Sequence, residues 1–119
     1  MKVVVMVPTY REARNIPRLI DEVFKHVPDA HLLVVDDDSP DGTADQVRAA
    51  MTSHPGQVHL MVRTSNRGRG SAGIDGFRRA LEMGADLVVE MDGDLSHAPA
   101  DIPRLIAAAA DGNTDVVVG

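Results

Sequence analysis

The chain has no cysteine and no tryptophan, and only one tyrosine and two phenylalanines among its 119 residues. Without thiols there are no disulfides, no thiol catalysis and no thiolate zinc sites, which fits a cytoplasmic setting. So few aromatic rings leave little on which nucleic-acid bases could stack. Positive charge is also sparse: twelve Lys and Arg stand against eighteen Asp and Glu, for a net charge of -6. No basic run is present to neutralise a phosphate backbone, so a nucleic-acid partner is excluded. Long apolar runs are missing too. The N-terminal stretch Val3 to Val7 is too short for a membrane span or for the apolar region of a signal peptide.

What is present reads as one soluble globular domain over residues 1–119, with 44% hydrophobic and 25% charged residues. Short continuous apolar runs alternate with longer periodic ones. Strands are expected at Lys2 to Val7, His31 to Asp36, Gln57 to Val62, Asp86 to Met91 and Asp115 to Val118. Helices are expected at Ile16 to His26 after an Asn15 cap, and at Ala44 to Ser53 after Thr43 with Gln46 in capping-box position. Two more fall at Ala72 to Met83 and at Ile102 to Ala110 after Asp101. A β-α alternation with valine-rich strands predicts an α/β fold, a Rossmann-like parallel sheet with helices on both faces.

On such a sheet ligands bind beyond the carboxyl ends of the strands, and the unusual clusters of this chain all follow strands. They are PTYREARN (Pro8 to Asn15), DDDSPDGT (Asp36 to Thr43), RTSNRGRGSAG (Arg63 to Gly73) and the DGD of Asp92 to Asp94. Asp92 and Asp94 stand at i, i+2, so in extended backbone both carboxylates point one way. A hard divalent cation, Mg2+ or Mn2+, bound by such a pair completes its shell with water and substrate phosphate oxygens. With Tyr10, the carboxylates of Asp36, Asp37 and Asp38, and the guanidinium groups of Arg63, Arg67 and Arg69, the rim suits a nucleoside diphosphate. Asp41, Gly42 and Thr43 read as a turn and helix cap, Asp38 as a solvent-facing residue, and Gly73 and Gly76 as sites of close packing.

These strings, VPTYREARNI, VVDDDSPDGTAD, GSAGIDGFRRAL and ADLVVEMDGDLSHAPADIPRLI, resemble the polyprenol-phosphate (dolichol-phosphate) mannose synthases of glycosyltransferase family two, which have the GT-A fold. The resemblance spans nearly the whole chain, and MDGDLSH with Pro99 after it is its most specific part. It implies a nucleotide pocket lined by Pro8, Tyr10 and Glu12, with Val35 and Asp37 at the nucleobase end. Asp92 and Asp94, beside Gly93 and Ser96, would hold the metal and the sugar diphosphate. The implied reaction is inverting transfer of mannose from GDP-mannose to a polyprenyl phosphate, at the cytosolic face of a membrane that the enzyme meets peripherally. A phosphate monoester acceptor is largely dianionic near neutral pH, its second pKa being about 6, so no catalytic base is assigned. His97 reads as a helix-start residue rather than a proton carrier.

Two positions depart from the family pattern: Arg69 stands where leucine is usual between the glycines, and Gly73 where an aromatic residue is usual. The resemblance also implies that the chain is the nucleotide-binding part of a longer enzyme and inactive by itself. In the family's fold a later strand separates the DxD strand from the one at Asp115 to Val118, so the latter is expected to lack its neighbour. Among rival readings, Gly68, Gly70 and Gly73 spell GxGxxG with Glu90 downstream, which evokes dinucleotide oxidoreductases, but they belong to the third unit rather than the first. A phosphoacceptor aspartate in VVDDDS would want a downstream lysine, and the only lysines are Lys2 and Lys25. A UDP-glucose-dependent polyprenyl-phosphate glucosyltransferase and a non-catalytic nucleotide-binding module are the remaining alternatives.

Overall fold

Valine-rich segments build a five-stranded parallel sheet whose three central strands, Val3–Thr9, His31–Asp36 and Leu87–Glu90, are largely buried on both faces. The computed structural model describes residues 2–64, 69–93, 99–110 and 116–118. The strands are β1 (Val3–Thr9), β2 (His31–Asp36), β3 (Val58–Val62), β4 (Leu87–Glu90) and β5 (Val116–Val118), in the sheet order β3-β2-β1-β4-β5. Between them run α1 (Ile16–His26), α2 (Thr43–Ser53), α3 (Arg69–Glu82) and α4 (Ile102–Ala110), the last preceded by a 3-10 turn at Pro99–Asp101. Alternation along the central strand divides the core in two. Val3, Val5 and Val7 pack with Ile16, Leu19, Val47 and Ile102 of α1, α2 and α4, while Val4 and Met6 pack with Leu33, Val35, Ala72 and Ala80 on the α3 side.

Polar contacts pin β1 at both ends. At its start the Lys2 amide donates to Asp86 Oδ2 at 2.6 Å, and Lys2 Nζ donates to the Met83 carbonyl at 2.6 Å. At its end Thr9 Oγ1 donates to Asp36 Oδ1 at 2.8 Å, across the register pair Thr9↔Asp36.

The structure corrects several expectations. β5 does not lack a neighbour: it pairs directly with β4 from Val88↔Val116 to Glu90↔Val118. The edge of β4 carries backbone groups that need ladder partners, and Val116–Val118 supplies them. Thr43 is not a side-chain cap of α2. Gly42 occupies that position at φ +88°, a left-handed conformation that glycine adopts without strain, and the buried Thr43 hydroxyl bonds elsewhere. Asn15 likewise makes no side-chain cap. Its Nδ2 donates to Glu12 Oε2 at 3.0 Å, and the Glu12 carbonyl accepts from the amides of Asn15 and Ile16. Helix α3 starts three residues earlier than its apolar period indicates, at Arg69.

Gly76 shows why small residues interrupt α3. A Cβ there would stand 2.8 Å from Met6 Cγ and Sδ and 2.9 Å from Val35 Cγ2, so the helix lies on the sheet too closely for any side chain. Gly76→Ala is expected to cost about 1–3 kcal/mol through overpacking, outweighing alanine's higher helix propensity. A urea unfolding midpoint at or above that of the unaltered chain would contradict this packing.

At the amino ends of β2 and β3, His31 Nδ1 and His59 Nε2 lie 3.3 Å apart, with ring centroids 5.5 Å apart. Burial is the main cause that pushes both imidazoles below their ordinary pKa of 6.5, with Lys2 adding repulsion at His31 and the neighbouring ring adding it at His59. The unfolded chain therefore binds more protons than the folded one just below pH 6.5. Stability is full above that value and declines as pH falls from about 6.5 toward the lowered folded pKa values. Replacing both histidines by glutamine should flatten this segment of the stability curve in chemical denaturation between pH 7.5 and 5.

Candidate functional site

Beyond the carboxyl end of the sheet, a cleft of about 150 Å3 is lined by Pro8, Thr9, Tyr10, Glu12, Asp37, Ala72, Asp92 and Gly93. It opens where the strand order reverses, since β2 and β4 flank β1 on opposite sides. Backbone pairing continues past the strand ends and holds the lining in place. The Asp37 amide donates to the Thr9 carbonyl at 3.1 Å, and the Met91 amide to the Met6 carbonyl at 3.0 Å.

Two polar hubs tie the loop after β1 to the loop after β2. The first is Asp36, fully buried, whose Oδ1 accepts from Thr9 Oγ1 at 2.8 Å and Ser39 Oγ at 2.6 Å, and whose Oδ2 accepts from the Ser39 amide at 2.9 Å. Ser39 Oγ in turn accepts from the Arg11 amide at 2.9 Å. The second hub is Asp41 with Thr43. Asp41 Oδ1 accepts from the Thr43 hydroxyl and amide, its Oδ2 accepts from the Ala13 amide at 3.2 Å, and Thr43 Oγ1 accepts from the Glu12 amide at 3.0 Å. The hydrogen bond from the Thr43 hydroxyl is the main reason that the Asp41 carboxyl lies below its ordinary pKa. Arg11 and Asp38 take positive φ, 58° and 56°, the two non-glycine residues among those described to do so, and both sit in these tied loops.

Gly93 completes the cleft for a steric reason. A Cβ there would come 3.0 Å from Thr9 Cγ2 and 3.2 Å from Glu12 Cγ, so Gly93 sits tightly against the loop after β1 and a side chain there would require its neighbours to shift. Tyr10 stands at the mouth, 45% exposed, with the Arg11 guanidinium 5.4 Å from its ring centroid.

The residues picked from the sequence fall into three groups. Pro8, Tyr10, Glu12, Asp37, Asp92 and Gly93 meet at the cleft. Val35 does not: its side chain is fully buried in the α3-side core, against Gly76. Asp94, Ser96 and His97, like Arg67, lie outside the described residues. Arg63 also departs from the phosphate role expected of it. It is buried, with Nη1 3.3 Å from Asp37 Oδ1, Nε 3.1 Å from Asp75 Oδ2 and Nη2 donating to Ser71 Oγ at 2.8 Å. Asp36 is committed to the loop hub, and Asp38 is exposed as expected. Thr9 and Ala72 line the cleft without having been singled out; for Thr9 the available signal was its place at a strand end.

An open parallel sheet with a carboxylate-lined cleft at its switch point defines an α/β protein whose candidate ligand site lies beyond the strand ends. Residues 4–119 match the profile of Glycosyl transferase family 2, and the chain belongs to that family. It is 42% identical over 118 residues to the polyprenol monophosphomannose synthase of Mycolicibacterium smegmatis, a match covering 99% of this chain and 44% of the relative. It is 43% identical over 119 residues to the undecaprenyl-phosphate mannosyltransferase of Micrococcus luteus, covering 100% of this chain and 48% of the relative. Among solved structures, the mannosyltransferase PcManGT of Pyrobaculum calidifontis, in complex with GDP-Man and Mn2+, superposes with a TM-score of 0.73 at 30% identity, over 92% of this chain and 32% of that one. The chain thus spans less than half the length of these relatives.

The Asp36 hub carries a stability test. Asp36→Asn removes a charge that three donors converge on and is expected to destabilise by about 1–3 kcal/mol. Asp38→Asn, on an exposed side chain, should change stability by less than about 0.5 kcal/mol. Equal effects in guanidinium unfolding would mean that the buried carboxylate does not hold the loops.

Proposed function

We propose that the cleft binds a nucleoside-diphosphate sugar and that the protein acts in the inverting transfer of mannose from GDP-mannose to a polyprenyl phosphate. The observation that carries this reading is that Asp37, after β2, and Asp92, after β4, line one cleft at the switch point. The two carboxylates can serve different ends of one ligand: Asp37 accepts hydrogen bonds from nucleobase N–H groups, and Asp92 faces the diphosphate. The mannosyltransferase names of the relatives, and the GDP-Man and Mn2+ held by the Pyrobaculum enzyme, support the choice of donor and acceptor.

The donor set fits a hard cation. Carboxylate, hydroxyl and substrate phosphate oxygens are the ligands that Mg2+ or Mn2+ prefers, and Asp92 with Asp94 and Ser96 would hold it. When bound, such an ion neutralises charge developing on the leaving diphosphate. The chain's own residues orient the reactants. Tyr10 and Pro8 flank the nucleoside, and the tied loops around Glu12 keep the cleft walls fixed before ligand arrives. The acceptor phosphate is largely dianionic at neutral pH, with a second pKa of about 6, and attacks without a protein base. No helix among the described residues is long and apolar enough to cross a membrane. Contact with the lipid acceptor is assigned, by the resemblance to the polyprenyl-phosphate mannosyltransferases, to a peripheral encounter at the cytosolic membrane face.

Calorimetric titration with GDP, UDP and NAD, each with and without Mn2+, tests the reading. GDP is expected to bind in a metal-dependent way and NAD not to bind. Asp92→Asn and Asp94→Asn should each weaken metal-dependent GDP binding by about tenfold or more while leaving the circular dichroism spectrum unchanged. Tight binding of NAD without metal, or indifference of GDP binding to both substitutions, would overturn the assignment.

A further inference from the structure

Glu12, in the turn after β1, has every polar atom but one engaged within the protein. Its amide donates to Thr43 Oγ1 at 3.0 Å, its carbonyl accepts from the amides of Asn15 and Ile16 at 3.0 and 2.9 Å, and its Oε2 accepts from Asn15 Nδ2 at 3.0 Å. Its stem packs on the DGD loop, since a Cβ on Gly93 would lie 3.2 Å from Glu12 Cγ. The residue is half-buried and lines the cleft. The atom left over is Oε1, which has no hydrogen-bond partner among the described residues and is not sealed from solvent. Asn15 stands just before α1, where an asparagine side chain ordinarily caps the helix, yet it makes no cap and gives its amide to Glu12 instead.

We infer that Asn15 is a positioning residue: by holding Glu12 Oε2 it presents Glu12 Oε1 to the cleft as a fixed acceptor for a donor group of the nucleoside. A carboxylate at the end of a flexible stem turns easily about its last bond and offers either oxygen. With Oε2 tied to Asn15 and Cγ set against Gly93, this one is held in a single orientation. An ionised carboxylate accepts hydrogen bonds and cannot donate them. In a nucleoside diphosphate the donors are the ribose hydroxyls and the N–H groups of the base, while the phosphate oxygens are acceptors of the same charge as the carboxylate. Oε1 therefore favours the nucleoside and not the diphosphate. Thr43 fixes the main chain of Glu12, and Asn15 decides which of its carboxylate oxygens meets the ligand.

This inference rests on the reading above that the cleft binds a nucleoside diphosphate, and the test separates the two. The affinities of GDP, UDP and inorganic pyrophosphate are measured with Mn2+ for the unaltered chain, Glu12→Gln, Asn15→Asp and the variant carrying both changes. In Glu12→Gln the new amide turns its oxygen to Asn15 and its NH2 to the ligand, so that donor meets donor. Asn15→Asp sets two carboxylates against each other and releases the orientation of Glu12. Aspartate suits the residue before a helix, so this variant is expected to fold. With both changes the hydrogen bond runs in the opposite sense: the new carboxylate accepts from the new amide, whose oxygen again faces the cleft, and the net charge is that of the unaltered chain. Each single change should lower the preference for the tighter nucleotide over pyrophosphate by about tenfold or more, and the double change should restore it to within about threefold. If nucleotide and pyrophosphate affinities move in parallel in the single variants, as a structural, charge or metal-binding role would have it, the inference is overturned. It is equally overturned if the double variant is no better than the worse of the two single ones. If the unaltered chain holds neither nucleotide better than pyrophosphate, the reading of the cleft itself fails, and this inference with it.

Discussion

A carboxylate buried at the end of β2 is the constraint on which the rest of the rim depends. Asp36 is fully enclosed and accepts from Thr9 and from both the amide and hydroxyl of Ser39. A charge in that position is tolerated only because its hydrogen-bond capacity is met. Meeting it draws the end of β1 and the loop after β2 together, and Asp41 with Thr43 repeats the device one turn further on. The cleft walls are therefore set by the protein's own polar network, before any ligand contributes.

This changes the meaning of the aspartate-rich motif after β2. Of the carboxylates in DDDSPDGT, Asp36 and Asp41 hold loops, Asp38 is exposed, and Asp37 alone lines the cleft. Ser39 and Thr43 are acceptors for the amides of Arg11 and Glu12, which have no ladder partner in the turn after β1. A motif that reads as an acidic ligand site is thus mostly the joinery between two loops, with one residue left to meet what binds there. Arg63 belongs to the same economy of partners: a cation on the rim, spent on Asp37, Asp75 and Ser71.

The architecture was legible in the sequence because its signals are local. Five valine-rich runs and four periodic stretches each carry their own period, and β2, α1 and α4 begin and end where those patterns do. Where local reading failed, a distant residue decided. The cap position of α2 passed to Gly42 because the Thr43 hydroxyl is taken by Glu12 and Asp41, and Val35 turned into the core because the alternation of β2 places it under Gly76. The rim was legible as a set of loops, since topology alone brings strand ends together. Which of its polar residues face the cleft and which face one another was not legible, because that depends on contacts such as Arg63 with Asp75, between β3 and α3.

The pins at the two ends of β1 carry a further consequence. Val3 to Val7 is apolar at every position, so a shift by one residue would exchange the two faces of the strand at little hydrophobic cost. Pleat alternation therefore cannot specify where this strand stops. Lys2, held by Asp86 and the Met83 carbonyl, and Thr9, held by Asp36, act as endpoints on an otherwise unmarked scale. Pro8, Tyr10 and Glu12 are carried on that scale, so a lysine at the far end of the sheet from the cleft helps determine which side chains arrive at its wall.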